Sequence, residues 1–189
     1  MHVLWWCFTD GAEDKTPESL EYGVSSFTFE ASRPFHPQRF YDAMTNREGT
    51  AMESLVRAKG LVWWPTVPDN TTIAAFAGKR FTLDLGGSWF VCRDREDWPE
   101  GVEEMIHDRW TEEYGDRAIE MVFIGVGMMK DEVMDILESC VLSDEEFAAG
   151  YEELWHKFDD PFAAQWEAME KMLEEHNHED HDHATDDES

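Results

Sequence analysis

The stretch Ile119 to Val126 is almost continuously apolar, and it is followed at once by a helix-period pattern. Eight such residues are too few for a membrane span and too many for an exposed loop. They predict a central β-strand covered on both faces. Directly after it, Val133, Ile136, Leu137, Cys140 and Val141 fall at i, i+3, i+4, i+7 and i+8, the spacing of one helix face. Any fold for this chain must therefore place a sheet beneath at least one packed helix.

Other strands announce themselves by alternation. Phe27, Phe29 and Ala31 alternate with Ser26, Thr28 and Glu30. Gly60 to Thr66, rich in Val and Trp, reads as a second strand. Ile73–Phe76 and Arg80–Leu85 read as a hairpin turning at Gly78-Lys79, with Gly86-Gly87 as a further turn and Trp89–Cys92 as one more strand. Helices are predicted after Pro37, with Phe40, Tyr41 and Met44 on one face, and near Asp97, with Pro99 just inside the start. Beyond Ser143, two more amphipathic patterns appear. One carries Phe147, Tyr151, Leu154, Trp155 and Phe158; the other, after the break Asp159-Asp160-Pro161, carries Phe162, Trp166, Met169 and Leu173. These stripes fit an αα-hairpin or a docking surface for another chain, but burial on the core is the expected reading, because most apolar helix stripes are buried. Hairpin-length connections among the middle strands favour an α+β fold with a mainly antiparallel sheet and helices packed on it. The chain divides into an N-terminal arm (1–20), an α+β domain (21–147), an amphipathic helical extension (148–175) and a disordered acidic His-rich tail (176–189).

The formal net charge is −28, from 43 acids and 15 Lys plus Arg. Such a surface repels phosphate, so nucleic acid and anionic membranes are not expected partners. About half of the excess lies from Ser143 onward, which holds 17 acids against two lysines. An acidic surface adapted to high salt and an acidic face for cations or a basic partner both explain the remainder. Three widely spaced cysteines, Cys7, Cys92 and Cys140, read as free thiols in a reducing compartment, with Cys140 a buried structural thiol. No segment reaches the length of a membrane span, and the start is a poor signal peptide, so a cytoplasmic location is expected.

Catalytic motifs are missing from the sequence. Gly78-Lys79 is no phosphate loop: Ile73 stands where the first glycine belongs and Arg80 where the hydroxyl belongs. Gly125-Val126-Gly127 lacks the third glycine of a dinucleotide loop. No bound nucleotide and no enzymatic activity are expected. His36 reads as a helix cap or packing residue and His107 as a surface residue. The strongest chemical signal is the tail, where His176, His178, His181 and His183 alternate with Asp180, Asp182 and other polar groups. Neutral imidazole suits Zn²⁺, Co²⁺, Ni²⁺ and Cu²⁺, and carboxylates add hard ligands. An unstructured segment must lose entropy to close around an ion, so loose binding of Zn²⁺ (or Co²⁺/Ni²⁺) is expected. A solvated tail with incidental histidines is the alternative.

Three segments taken together resemble a known family. They are Glu21–Phe27 running on to Arg33-Pro34-Phe35-His36-Pro37-Gln38-Arg39-Phe40, then Arg57-Ala58-Lys59-Gly60-Leu61-Val62-Trp63, then Tyr114-Gly115-Asp116-Arg117 with Val122-Phe123-Ile124-Gly125. In this order they resemble the C-terminal domain of CobW-type proteins, metallochaperone GTPases that include zinc chaperones. The closing Leu142-Ser143-Asp144-Glu145-Glu146 fits that domain's end. The resemblance implies an α+β unit that contributes to client or partner contact. In that family a P-loop GTPase domain with a cysteine metal motif precedes this unit, and histidine-rich stretches often accompany it. Neither the GTPase domain nor its cysteine motif is in this sequence, so GTP hydrolysis is not carried over. No role is implied for the motif residues Arg33, His36, Lys59, Asp116 and Arg117. The expected function is a metal-homeostasis accessory: a non-catalytic docking domain with a metal-gathering tail, partnering a CobW-type GTPase or a metalloprotein client. The alternatives are a protein–protein interaction module without a metal role and a fragment of a longer CobW-type GTPase.

Overall fold

The structure is a computed structural model and describes residues 23–169, 171 and 172. The N-terminal arm and the His-rich tail lie outside the described residues. Five strands, β1 (Val24–Ala31), β2 (Leu55–Val62), β3 (Asn70–Ala77), β4 (Arg80–Ser88) and β5 (Ile119–Val126), form one antiparallel sheet in the order β1-β5-β2-β3-β4. Helices α1 (Pro37–Thr45), α3 (Lys130–Cys140) and α4 (Asp144–Glu153) join a short α2 (Val102–Ile106). This is the α+β, antiparallel arrangement that the patterning predicts.

One face of the sheet carries the core. The registers bring Phe27, Phe123, Ala58 and Phe76 into one row and Phe29, Met121, Gly60 and Ala74 into the next. Large residues on β1 and β5 thus meet small ones on β2, the middle strand, which leaves room for side chains from above. That room is filled by Phe40 and Met44 of α1 and by Val133, Leu137 and Cys140 of α3, all buried. Pro37 opens α1, where its missing N–H costs nothing. Asp131 and Glu132 in the first turn of α3 complement the positive end of its dipole. Ser143 and Glu146 close a reciprocal capping box at the start of α4.

Several expectations are corrected. The second strand runs from Leu55 to Val62 rather than from Gly60 to Thr66, because a bulge between Leu55 and Arg57 lets the alternation restart unnoticed. Gly86-Gly87 is not a turn: β4 continues to Ser88, with a register shift opposite Asn70–Thr72. A Cβ on Gly86 would come within 2.3 Å of the Thr71 hydroxyl, so the glycine serves close approach rather than reversal. Phe90–Cys92 is a 3₁₀ turn, not a strand. Pro99 lies ahead of α2, whose N-cap is Gly101. β5 is central, but only one of its faces is fully covered; Val122 and Ile124 are half-buried and Val126 is exposed.

Among the described residues, the stripes beyond Ser143 pack mainly on the core, and Leu173 lies outside the described residues. Trp155, Phe162 and Trp166 belong to the core. Gly150 breaks α4 with φ 68, so the single face expected from Phe147 to Phe158 is split and Tyr151 is left exposed.

Two glycines illustrate different constraints. Gly78, at φ 62 in the β3–β4 turn, has nothing within 4 Å of a built Cβ, whereas on Gly60 that atom would lie 2.1 Å from the Glu120 carbonyl oxygen. Gly78→Ala should therefore cost about 1 kcal/mol of backbone strain. Gly60→Ala should cost about 3 kcal/mol, because β2 and β5 must move apart. Urea-unfolding midpoints of the two variants check the order; a Gly60 variant as stable as the Gly78 variant would refute the close strand contact.

Candidate functional site

The sequence-predicted residues do not converge on one site. Arg33, at the end of β1, pairs with Asp144 of α4. His36 is the N-cap of α1; its Nδ1 accepts a long hydrogen bond of 3.5 Å from the Arg39 backbone N–H. Its ring lies 4.6 Å from that of Phe158. Burial, then the nearby Arg39 charge, pushes its pKa below the ordinary histidine value. A neutral, packed cap agrees with the expectation for a lone histidine. Lys59 is elsewhere, on the uncovered face of the sheet.

Asp116 and Arg117 form a second, separate pin. The Asp116 carboxylate is buried and accepts hydrogen bonds from the backbone N–H groups of Phe90 (3.2 Å) and Val91 (3.0 Å). Arg117 donates to the Pro68 carbonyl at 2.8 Å and to Asp69 and the Cys92 sulfur at 3.1 Å. Together they hold the segment after β4 against the loop before β3. Burial raises the Cys92 thiol pKa, with Arg117 opposing and Asp69 reinforcing the shift. Burial pushes Cys140 up to about 11, so neither is an activated thiolate.

Among the described residues, no three His, Cys, Asp or Glu side chains are grouped to hold a metal ion. His107 contacts its neighbour Asp108 on the surface, and His156 Nδ1 lies 2.6 Å from the Tyr151 carbonyl. The proposed ligands His176, His178, Asp180, His181, Asp182 and His183 lie outside the described residues. No helix among the described residues is long and apolar enough to cross a membrane.

Two anchoring groups escaped the sequence reading. Arg39 grips Glu146 through two N–H···O contacts of 2.9 and 2.7 Å and also donates to the Val141 carbonyl. The Ser143-x-x-Glu146 spacing signals a cap but not its distant arginine. Asp160 accepts hydrogen bonds from the indoles of Trp64 and Trp166, both at 2.9 Å, and from the Thr66 hydroxyl. Its place in a helix-breaking triplet gave no hint of this.

Arg33, His36, Asp116 and Arg117 thus lie where loops meet the sheet and its helices, and Lys59 lies on the open face of the sheet. The profile described as "Cobalamin synthesis protein cobW C-terminal domain" matches residues 24–141, and the chain belongs to that family. The zinc-regulated GTPase metalloprotein activator 1 of Dictyostelium discoideum is 31% identical over 77% of this chain and 30% of its own length. A zinc chaperone of Mycobacterium tuberculosis is 26% identical over 77% of this chain and 36% of its own. The chain thus spans about a third of the length of these relatives. The Zn(II)-bound YjiA GTPase from E. coli is similar over 67% of this chain and 32% of its own, at 18% identity and a TM-score of 0.44.

The Arg39 guanidinium, the Ser143 N–H and the neighbouring His36 hold the Glu146 carboxyl down at about 2, against a usual 4.5. Its contribution is complete above about pH 4.5 and is lost as the pH falls toward 2. Glu146→Gln should cost about 1–2 kcal/mol at neutral pH. The gap to the parent should close across that acid window, as chemical denaturation at stepped pH would record; a gap independent of pH would contradict this role.

Proposed function

We propose that this chain is a metal-homeostasis protein of the zinc-chaperone type, in which the α+β domain contacts a protein partner and the C-terminal histidines gather Zn²⁺ or a similar ion. The observation that carries the reading is family membership together with named relatives that are zinc-regulated or zinc chaperones. Four imidazoles within eight residues of sequence supply the ligand chemistry that the packed domain does not offer among its described residues. The partner is a CobW-type GTPase domain or a metalloprotein client. Residues 24–141 carry no phosphate-binding loop, so nucleotide hydrolysis is assigned elsewhere. The domain's part is docking, because its motif residues brace loops instead of lining a reaction site.

Of the two forms of the rival interaction module, the one built on the helices around Trp155 and Trp166 loses those side chains as a surface, since both are buried, and the one that meets a basic partner through an acidic face stays as the alternative.

Calorimetric titration of Zn²⁺ into the full chain tests the metal role. Replacing His176, His178, His181 and His183 with Gln should weaken binding at least tenfold, or by about 1.4 kcal/mol or more. Equal binding by parent and variant would remove the tail from the function.

A further inference from the structure

The uncovered face of the sheet has a polarised charge layout. Arg57 and Lys59 of β2 and Arg80 of β4 lie toward the end that carries the Gly78-Lys79 turn; Glu30, Glu120 and Asp84 lie toward the other. Ala75 and Ala77 lie between the cations on β3, and their small side chains leave an open groove of about 620 Å³. Arg57 is opposite Ala77, which is opposite Arg80; Lys59 is opposite Ala75. The ion pairs of arginine among the described residues use Arg33, Arg39, Arg95, Arg109 and Arg117, and none involves the three groove cations. In a chain of net charge −28, three cations that form no ion pair among the described residues surround one groove and make a local positive well. Asp84 at its far rim only partly offsets them.

We propose that the groove is the docking site of the chain's own C-terminal segment, residues 173–189. That segment holds eight carboxylates and no lysine or arginine. Shortly before the end of the described chain, residues 162–165 pack against the core side of the right strand: Gln165 donates to the Leu83 carbonyl at 2.7 Å, and the Phe162 ring lies 5.8 Å from that of Phe81. Arg80 and Thr82, on the same strand, line the groove. Seventeen residues reach up to about 55 Å, ample to pass the edge of β4. Tethering raises the effective concentration of the acidic segment at the groove to the millimolar range. Exposed charge pairs are individually weak, so docking is reversible and screened by salt. A further consequence rests on the proposed metal role: an ion that takes the tail's imidazoles and carboxylates competes with the sheet for them, so loading the tail releases the groove.

Zero-length carbodiimide coupling of the full chain tests this, because it joins carboxylates only to amines they already touch. Mass spectrometry of the monomer should find residues 173–189 coupled to Lys59 and Lys79 at least fivefold more than to Lys130. The yield should fall at least fivefold in 0.5 M NaCl and in the Arg57→Gln/Arg80→Gln double variant, whose changes are at exposed positions. Even coupling to all three lysines, coupling confined to cross-linked dimers, or no loss in the double variant would overturn the docking. Addition of ZnCl₂ should lower the yield. A metal-independent yield would overturn the competition alone, while the docking itself is read without metal.

Discussion

Trp63 and Trp64 stand side by side just past the end of β2, and most of the later chain is fastened to one or the other. Trp63 packs against Tyr114, Phe147 and Trp155, with ring centroids 5.2 to 5.9 Å apart. Trp64 packs against Phe40, Phe162 and Trp166, with its indole N–H directed to Asp160. Both side chains are fully buried. Burying a large aromatic contributes about 2–3 kcal/mol, and each favourable ring pair adds about 1 kcal/mol. Two neighbouring residues thus join α1, the loop before β5, α4 and the C-terminal helical residues to the sheet. Without them the segment beyond Ser143 would lose its two most buried partners and keep contacts such as those of Phe147 and Trp155 with Tyr114 and of Phe162 with Tyr41 and Phe81. Asp160 completes the join, since one carboxylate oxygen accepts from two indoles and would leave both unsatisfied if removed.

The family-motif residues act through the same logic at other seams. Asp116 accepts two backbone N–H groups from a turn that has no sheet partner for them. Arg117 supplies donors to a carbonyl and a carboxylate before β3. On the opposite side, the His36 N–H donates to the Cys140 carbonyl at 2.7 Å, and Leu142 donates to Pro34 at 2.9 Å. Arg39 and Glu146 then lock the start of α4 over that crossing. Residue types that in isolation look like acid, base or metal ligands are here satisfying backbone groups that the loops leave unpaired. Arg33, which pairs with the Asp144 carboxylate, and Lys59 are the exceptions.

Local periodicity made much of this fold legible. Phe27 and Phe29, the Gly78-Lys79 turn and the Val133–Leu137–Cys140 face all depend on residues within a few positions of one another, and each was read correctly. The glycines of β4 misled, because Gly-Gly favours reversal locally, while its use here is set by Thr71 sixteen residues away across the bulge. The Asp160–Trp64 bond spans 96 residues and the Arg39–Glu146 pair 107, and no spacing rule reports contacts at such separations. Periodicity alone fits core, hairpin and docking surface for Trp155 and Trp166, since all three demand the same stripe; burial on the core is the expectation because most apolar helix stripes are buried, and the structure agrees. Their partners there are Trp63 and Trp64, whose rings needed covering.

Where a metal can bind follows from how the described imidazoles and thiols are placed. His36 is packed on Phe158 beside a guanidinium, His156 contacts a backbone carbonyl, and His107 stands beside one carboxylate. Cys140 is buried among apolar groups, and Cys92 sits under Arg117. A divalent ion needs three or four deprotonated donors within about 2.0–2.3 Å of one point, and the described domain separates its donors instead. Carboxylates are abundant, but scattered single oxygens on a rigid sheet cannot converge on an ion without moving strands. Gathering an ion therefore calls for a segment whose backbone can rearrange around it, at an entropic cost that keeps affinity modest and exchange fast. For a protein that hands its ion on, that weakness is an advantage, which is why the proposed metal role is assigned to the histidine-rich sequence and not to the donors of the described domain.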